Sequence, residues 1–183
     1  PCDSFSVQFA CGKETKAVLE QAAEFQAYEK GKLVFTGIVD DFELRLGKDG
    51  ALAEVTGRGM AARLMDMQTA AAEYVSAQLT DILNAYVRPC GVSKIEAEEM
   101  GPVANFVVQT GATCYQALAG FCRHSAEIYP RFLADGTLVL KREAPGKGIT
   151  LSGGILRAQY VRNRYGVAAK QVLINTRNGA RQE

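Results

Sequence analysis

The sequence predicts an α+β protein. It reads as a β-barrel-like domain made of N- and C-terminal strands, residues 1–59 and 148–183, with an intervening small α/β domain over 60–147. Three observations predict this. Apolar residues recur every second position through the first 59 residues, at helical spacing after Gly57-Arg58-Gly59, and every second position again beyond residue 155. A chain of 183 residues has room for one domain or two small ones. With 48% hydrophobic and 22% charged residues it has ordinary globular composition, which excludes collagen, a disordered tail and a small disulfide scaffold.

Ser4–Phe9 sets Phe5, Val7 and Phe9 against Ser4, Ser6 and Gln8, the pattern of a half-buried strand. Residues 13–23 read either as a loop with a helical turn or as the lead into the next strand. Glu24–Glu29 alternates again, and Lys30-Gly31-Lys32 is a tight polar connection into a long run, Leu33–Leu46. The apolar set of that run changes face between Phe35 and Phe42, so a bulge or bend is expected at Gly37 or Asp40-Asp41. Gly47-Lys48-Asp49-Gly50 supplies residues that tolerate positive φ and closes a hairpin onto Ala51–Gly57.

The period then becomes helical. Met60, Leu64 and Met67 line a short amphipathic segment, and Leu79, Ile82, Leu83 and Tyr86 form the stripe of a helix over Ser76–Val87 that Pro89 and Gly91 stop. Short strands are expected at Lys94–Glu98 and Asn105–Gln109. Thr113 with Gln116 has capping-box spacing and opens a helix that turns Leu118, Phe121 and Cys122 inward. Ile128–Leu133 and Thr137–Lys141 flank Asp135-Gly136, the strongest hairpin signal in the chain. Residues 144–148 read as a flexible link. Ile155–Arg164 alternates loosely, Tyr165-Gly166-Val167 turns, and Gln171–Thr176 alternates once more.

The 21 basic and 20 acidic residues conceal an asymmetry. Residues 141–183 carry nine Lys/Arg against Glu143 and Glu183, a charge of +7, and the first 140 residues sum to −6. A basic end on an acidic body suits a polyanion, nucleic acid, or an acidic neighbouring copy. Arg157, Arg162, Arg164, Lys170, Arg177 and Arg181 lie among Tyr160 and Tyr165, a mixture that could hold single-stranded nucleic acid. Strand parity, however, sets Arg157 opposite Arg162 and Arg164. Subunit contact through Arg157, Tyr160, Arg162 and Arg164 is the other use of these residues.

No apolar run is long enough to span a bilayer and no signal-peptide pattern is present, so the chain reads as soluble and not secreted, with no membrane partner. It opens at Pro1 without Met, which reads as a processed or excised piece.

Catalytic and metal chemistry find little support. Five cysteines, at positions 2, 11, 90, 114 and 122, match no zinc spacing, and one histidine leaves a Cys/His site almost nothing to draw on. They read as reduced thiols. Cys122 and His124 stand two apart on a helix and point roughly 200° away from each other, so they cannot form a nucleophile–base pair. A Cys nucleophile at Cys122 or Cys114 has no support in spacing. The carboxylates of Asp40-Asp41 and Glu98-Glu99 diverge on a strand. The glycine clusters at 57–59, 146–148 and 153–154 lack the context of a phosphate cradle. No cofactor, metal or enzymatic activity is expected.

Several segments in order resemble one family. Asp3-Ser4-Phe5, then Phe35-Thr36-Gly37-Ile38-Val39-Asp40, then Val55-Thr56-Gly57-Arg58-Gly59 with Ala62-Arg63-Leu64-Met65-Asp66 resemble the first β domain of phage tail baseplate hub proteins. These form the late-control protein D family, and the chain is most similar to its version in PBSX-type prophage tails. Leu79–Leu83 through Val87-Arg88-Pro89-Cys90-Gly91-Val92, and Thr113–Leu118 through Ala134-Asp135-Gly136-Thr137-Leu138-Val139, resemble its later helix and hairpin. The resemblance covers most of residues 3–142 and rests on packing and turn signatures. It implies a virion structural protein without catalysis, assembled in the bacterial host cytoplasm. Its copies would form a homotrimeric ring between the tail tube and the central spike or tail-lysin proteins, touching nucleic acid at most transiently. Members of the family are typically longer.

Overall fold

The computed structural model describes residues 2–142, apart from Lys13 and Asp49, together with the backbone of Leu173–Ile174 and Arg181–Gln182. The chain divides into two units, Pro1–Ala144 and Pro145–Glu183. In the second, Leu173–Ile174 pairs antiparallel with Arg181–Gln182. The expected strand at Ile155–Arg164 and the turn at 165–167 lie outside the described residues.

The first unit begins with a four-stranded antiparallel sheet. Its strands are β1 (Ser4–Ala10), β2 (Glu24–Glu29), β3 (Lys32–Gly47) and β4 (Gly50–Gly59), in the order β1-β4-β3-β2. A short helix α1 (Thr15–Leu19) joins β1 to β2. The β2–β3 turn puts Lys30 and Gly31 at φ of 49° and 78°, the paired positive values of a type I′ hairpin, whose twist matches that of the strands. The β3–β4 hairpin closes with Gly47 opposite Gly50.

The 16-residue β3 bends where its apolar set changes parity. Val39 faces Gly57 and Asp41 faces Thr56, so Asp40 is the extra residue of a bulge. Upstream of it, odd-numbered Val39 joins the buried face, and downstream, even-numbered Phe42 and Leu44 join the same face. With Phe5, Val7 and Cys11 they pack around buried Ala53, Val55 and Leu19 of α1. Phe9, expected to face inward, is 40% exposed near the open end of the sheet, where Leu46 is 88% exposed. Among the described residues the sheet is open, with β1 and β2 as edges.

The rest of the first unit mixes helices and short strands, so the α+β class holds. Helix α2 covers only Ala62–Met65 and buries Leu64, leaving Met67 largely exposed. The expected helix over Ser76–Val87 needs correction. Residues Ala72–Ala77 form a strand, β5, and the helix α3 starts at Leu79. After Ile82 it widens into a π-helical segment, Leu83–Val87, tightens into a 3-10 turn, Arg88–Cys90, and ends on Gly91 at φ 78°.

Strand β6 (Ile95–Ala97) lies parallel to β9 (Leu138–Leu140), which also pairs antiparallel with β8 (Arg131–Phe132). Strand β7 (Val103–Val108) pairs antiparallel with β5. Helix α4 (Cys114–Ala126) has the expected capping box: the Thr113 hydroxyl accepts from the Gln116 N–H at 3.1 Å, and the Thr113 N–H donates to Gln116 Oε1 at 2.8 Å. Its stripe of Leu118, Phe121 and Cys122 is fully buried against Leu64, Ile82, Val87, Phe106, Ile128, Leu138 and Leu140, which form the main core.

Candidate functional site

The candidate catalytic residues do not converge. Cys122 is wholly buried, and burial pushes its thiol up to about 12, away from the thiolate a nucleophile needs. His124 is exposed on the other side of α4. Its Nδ1 lies 2.7 Å from the Gly120 carbonyl, and its ring meets Phe106 edge-on. Burial and the neighbouring Cys90 thiol push Cys114 up to about 11. Among the described residues no three His, Cys, Asp or Glu side chains cluster as metal ligands.

One member of each acidic pair, Asp40 and Glu98, serves as a structural partner. Glu98 accepts from the Arg142 backbone N–H at 3.0 Å and lies 3.6 Å from its guanidinium. Asp40 reaches from the β3 bulge to Arg58 on β4. Arg58 Nε and Nη2 donate to Asp40 at 2.7 and 2.8 Å, and Nη1 and Nη2 donate to Asp66 at 2.8 and 2.9 Å. One guanidinium therefore holds two carboxylates in parallel N–H···O pairs. The guanidinium holds both carboxyls below the usual aspartate range and is itself held more firmly protonated. Because Asp66 follows α2, this clamp joins the sheet to the helical part. A second tie runs beside it: Arg63 of α2 donates to Glu24 at the start of β2 at 2.6 Å and to the Gly91 carbonyl at 3.5 Å.

Gly57-Arg58-Gly59 is strand, not an anion cradle. Phe5 and Phe25 stack with ring centroids 4.3 Å apart, and Phe35 meets Phe5 edge-on at 5.7 Å. A Cβ on Gly57 would strike the Ile38 carbonyl and the Phe5 ring, and one on Gly37 would come within 2.6 Å of the Arg58 carbonyl. The two glycines leave room for the Phe5 and Phe35 rings against the sheet.

Two clefts remain. One, of about 750 Å³, is bounded by Asp3, Met60, Tyr115, Tyr129 and Arg131 between the end of the sheet and the turn after α4. The other, of about 610 Å³, runs between β7 and the outer face of α4, past Phe106, Val108, Gly120, Arg123 and His124. Neither brings together a nucleophile, a base and an oxyanion donor. Arg157, Tyr160, Arg162 and Arg164, the candidate contact residues, lie outside the described residues. Sequence reasoning missed the Arg58 and Arg63 ties. Arg58, Arg63 and Asp66 lie close together in the sequence, which carries no indication of which carboxylate each arginine meets.

The arrangement is a rigid α+β scaffold with large strand surfaces. No protein-family model matches the chain, and no curated protein matches it. Among solved structures, it is similar to a tail protein from Neisseria meningitidis MC58, with a TM-score of 0.61 and 20% identity over 76% of this chain and 41% of that one. It is also similar to a 43 kDa tail protein of prophage MuSo2 from Shewanella oneidensis, with a TM-score of 0.52 and 17% identity over 74% of this chain and 44% of that one. The chain thus spans less than half the length of either protein whose fold it shares.

Proposed function

We propose that this protein is a structural component of a phage or prophage-derived tail. The observation that carries the reading is the fold likeness, over about three quarters of the chain, to two proteins described as tail proteins. The divergent placement of Cys122 and His124 is consistent with a non-catalytic role, and the Arg58 and Arg63 ties suit a subunit that must hold its shape under load.

The finer reading is a baseplate hub subunit of the late-control protein D type. It forms a homotrimeric ring between the tail tube and the central spike or tail-lysin proteins, in the virion tail after assembly in the host cytoplasm. The motifs at 3–66 and 79–139 support it, as does the split between a −6 body and a +7 end, which gives neighbouring copies complementary charge. In this reading residues 148–183 join 1–59 in a barrel-like domain, 60–147 form the domain between, and Arg157, Tyr160, Arg162 and Arg164 contact the next subunit.

Light scattering on the purified full-length chain tests it. A trimer that dissociates as salt rises, and that Arg162→Ala with Arg164→Ala weakens, supports the ring. A monomer at millimolar concentration and low salt rejects it. The basic end also favours a second reading, a nucleic-acid-binding module. That reading requires salt-sensitive binding to a single-stranded oligonucleotide that the same double variant weakens.

A further inference from the structure

The two-stranded sheet of β5 and β7 leaves one edge of β7 open, because among the described residues β7 pairs with β5 alone. The cleft of about 610 Å³ beside it is bounded by residues 106–112 in an unbroken run and by the outer face of α4, and no residue of β5 lines it. It therefore lies on the side of β7 away from β5. A free strand edge offers backbone N–H and C=O groups to any extended chain that comes alongside.

The floor of this cleft is apolar, with Phe106, Val108 and Ala117 buried in it. A Cβ on Gly120 would meet only the Phe106 ring, at 3.8 Å, so at that point α4 presents backbone and leaves space. The rim is basic. Arg123 and His124 line the cleft, and among the described residues no aspartate or glutamate does. The Arg123 guanidinium enters no ion pair or hydrogen bond among the described residues, in contrast to Arg45, Arg58, Arg63 and Arg142. The Gly120 carbonyl accepts from His124 Nδ1 at 2.7 Å, which leaves Nε2 for a partner.

Charge makes this cleft unlike its surroundings. The first 140 residues sum to −6, and the other large cleft carries Asp3 and Glu127. A carboxylate-free trough with an unpaired arginine on an acidic body is complementary to an anionic partner. Nucleic acid is the poorer fit, since one arginine and one histidine neutralise few phosphates.

We propose that the β7 edge and the outer face of α4 form a docking groove for an extended acidic segment of another polypeptide, which joins the sheet as a third strand. Its backbone takes up the free N–H and C=O groups of β7. Its side chains alternate, so one set faces solvent beside Val107, which is 48% exposed, and the other set faces α4. In that second set an apolar residue settles over Phe106 and Gly120, and a carboxylate two positions away meets Arg123 or His124.

The test is a titration of the 15N-labelled full-length chain, at low salt and about pH 7, with the capped peptide Thr-Glu-Thr-Val-Thr-Glu-Thr, read by amide chemical shifts. This peptide sets its valine between two glutamates on one face in either strand direction, and Thr-Lys-Thr-Val-Thr-Lys-Thr is the control. The expected result is saturable shifts within residues 106–111 and 119–124, with a Kd of about 1 mM that rises with salt, and none with the lysine peptide. Arg123→Glu, at an exposed position, should weaken binding about tenfold. Gly120→Leu fills the floor without changing charge and should abolish it. If one variant fails to fold, the other and the lysine control still decide. Any of four outcomes overturns the proposal: no shift at about 5 mM acidic peptide, equal shifts with the lysine peptide, shifts centred on β1 or β2, or shifts in the groove that follow protein concentration without peptide and so assign it to a second copy.

Discussion

Arg58 makes four charge-assisted hydrogen bonds, two to Asp40 and two to Asp66, across the bulge, the last turn of β4 and the end of α2. Its side chain is 37% exposed, so solvent screening keeps the loss in Arg58→Ala to about 1 kcal/mol, measurable by urea denaturation. Both carboxyls lie below their unfolded value of about 3.9. Their contribution is therefore complete above that value and is lost as pH falls through the folded pKa. Stability should drop below about pH 4, and Arg58→Ala should flatten that drop. Gly57 is the other residue on which the sheet depends. Gly57→Ala drives a methyl into the Ile38 carbonyl and the Phe5 ring and should cost about 1–3 kcal/mol by the same measurement.

Among the elements, α4 was the most legible. Its cap, its inward stripe and its following hairpin all stand in the sequence, because a Ser/Thr cap and a 3.6-residue period are local properties. Thr113→Ala should cost about 1 kcal/mol and Phe121→Ala about 3–5 kcal/mol, both read from chemical denaturation. The change of face in β3 was legible too, since a bulge leaves a parity change in the apolar pattern. Strand β5 was not. Ala72 and Tyr74 pack on the core while Val75 is 86% exposed, so apolar residues lie on both faces of the strand and leave no clean period-two pattern to mark it. The π-helical segment was equally hidden. Its stripe of Leu83, Tyr86 and Val87 satisfies a helical period within one turn, and only the backbone hydrogen bonding distinguishes the wider helix.

At the scale of the molecule, the first unit has two apolar clusters of unequal size. The larger surrounds α4; the smaller, on the sheet, has only Leu19, Ala53 and Val55 as buried residues. A sheet with so few buried residues and with Leu46 in solvent gains more from assembly than the α4 core does. If the proposed ring forms at low salt, amides of the edge strands β1 and β2 should gain hydrogen-exchange protection, while those of α4 should stay unchanged. Equal gains in both would place the subunit contact elsewhere.

The sequence by itself determined the α+β class, the order of most elements, the hairpins and caps, and the divergence of Cys122 from His124. Each of these depends on residues within a few positions of one another. The tertiary structure alone decided that Asp40 and Asp66 share Arg58, that Arg63 reaches Glu24 and Gly91, and that Gly37 and Gly57 make room for the Phe35 and Phe5 rings. Those partners lie many residues apart in the chain. Charge and size at one position show that a partner is needed, and only the path of the backbone shows which partner it is.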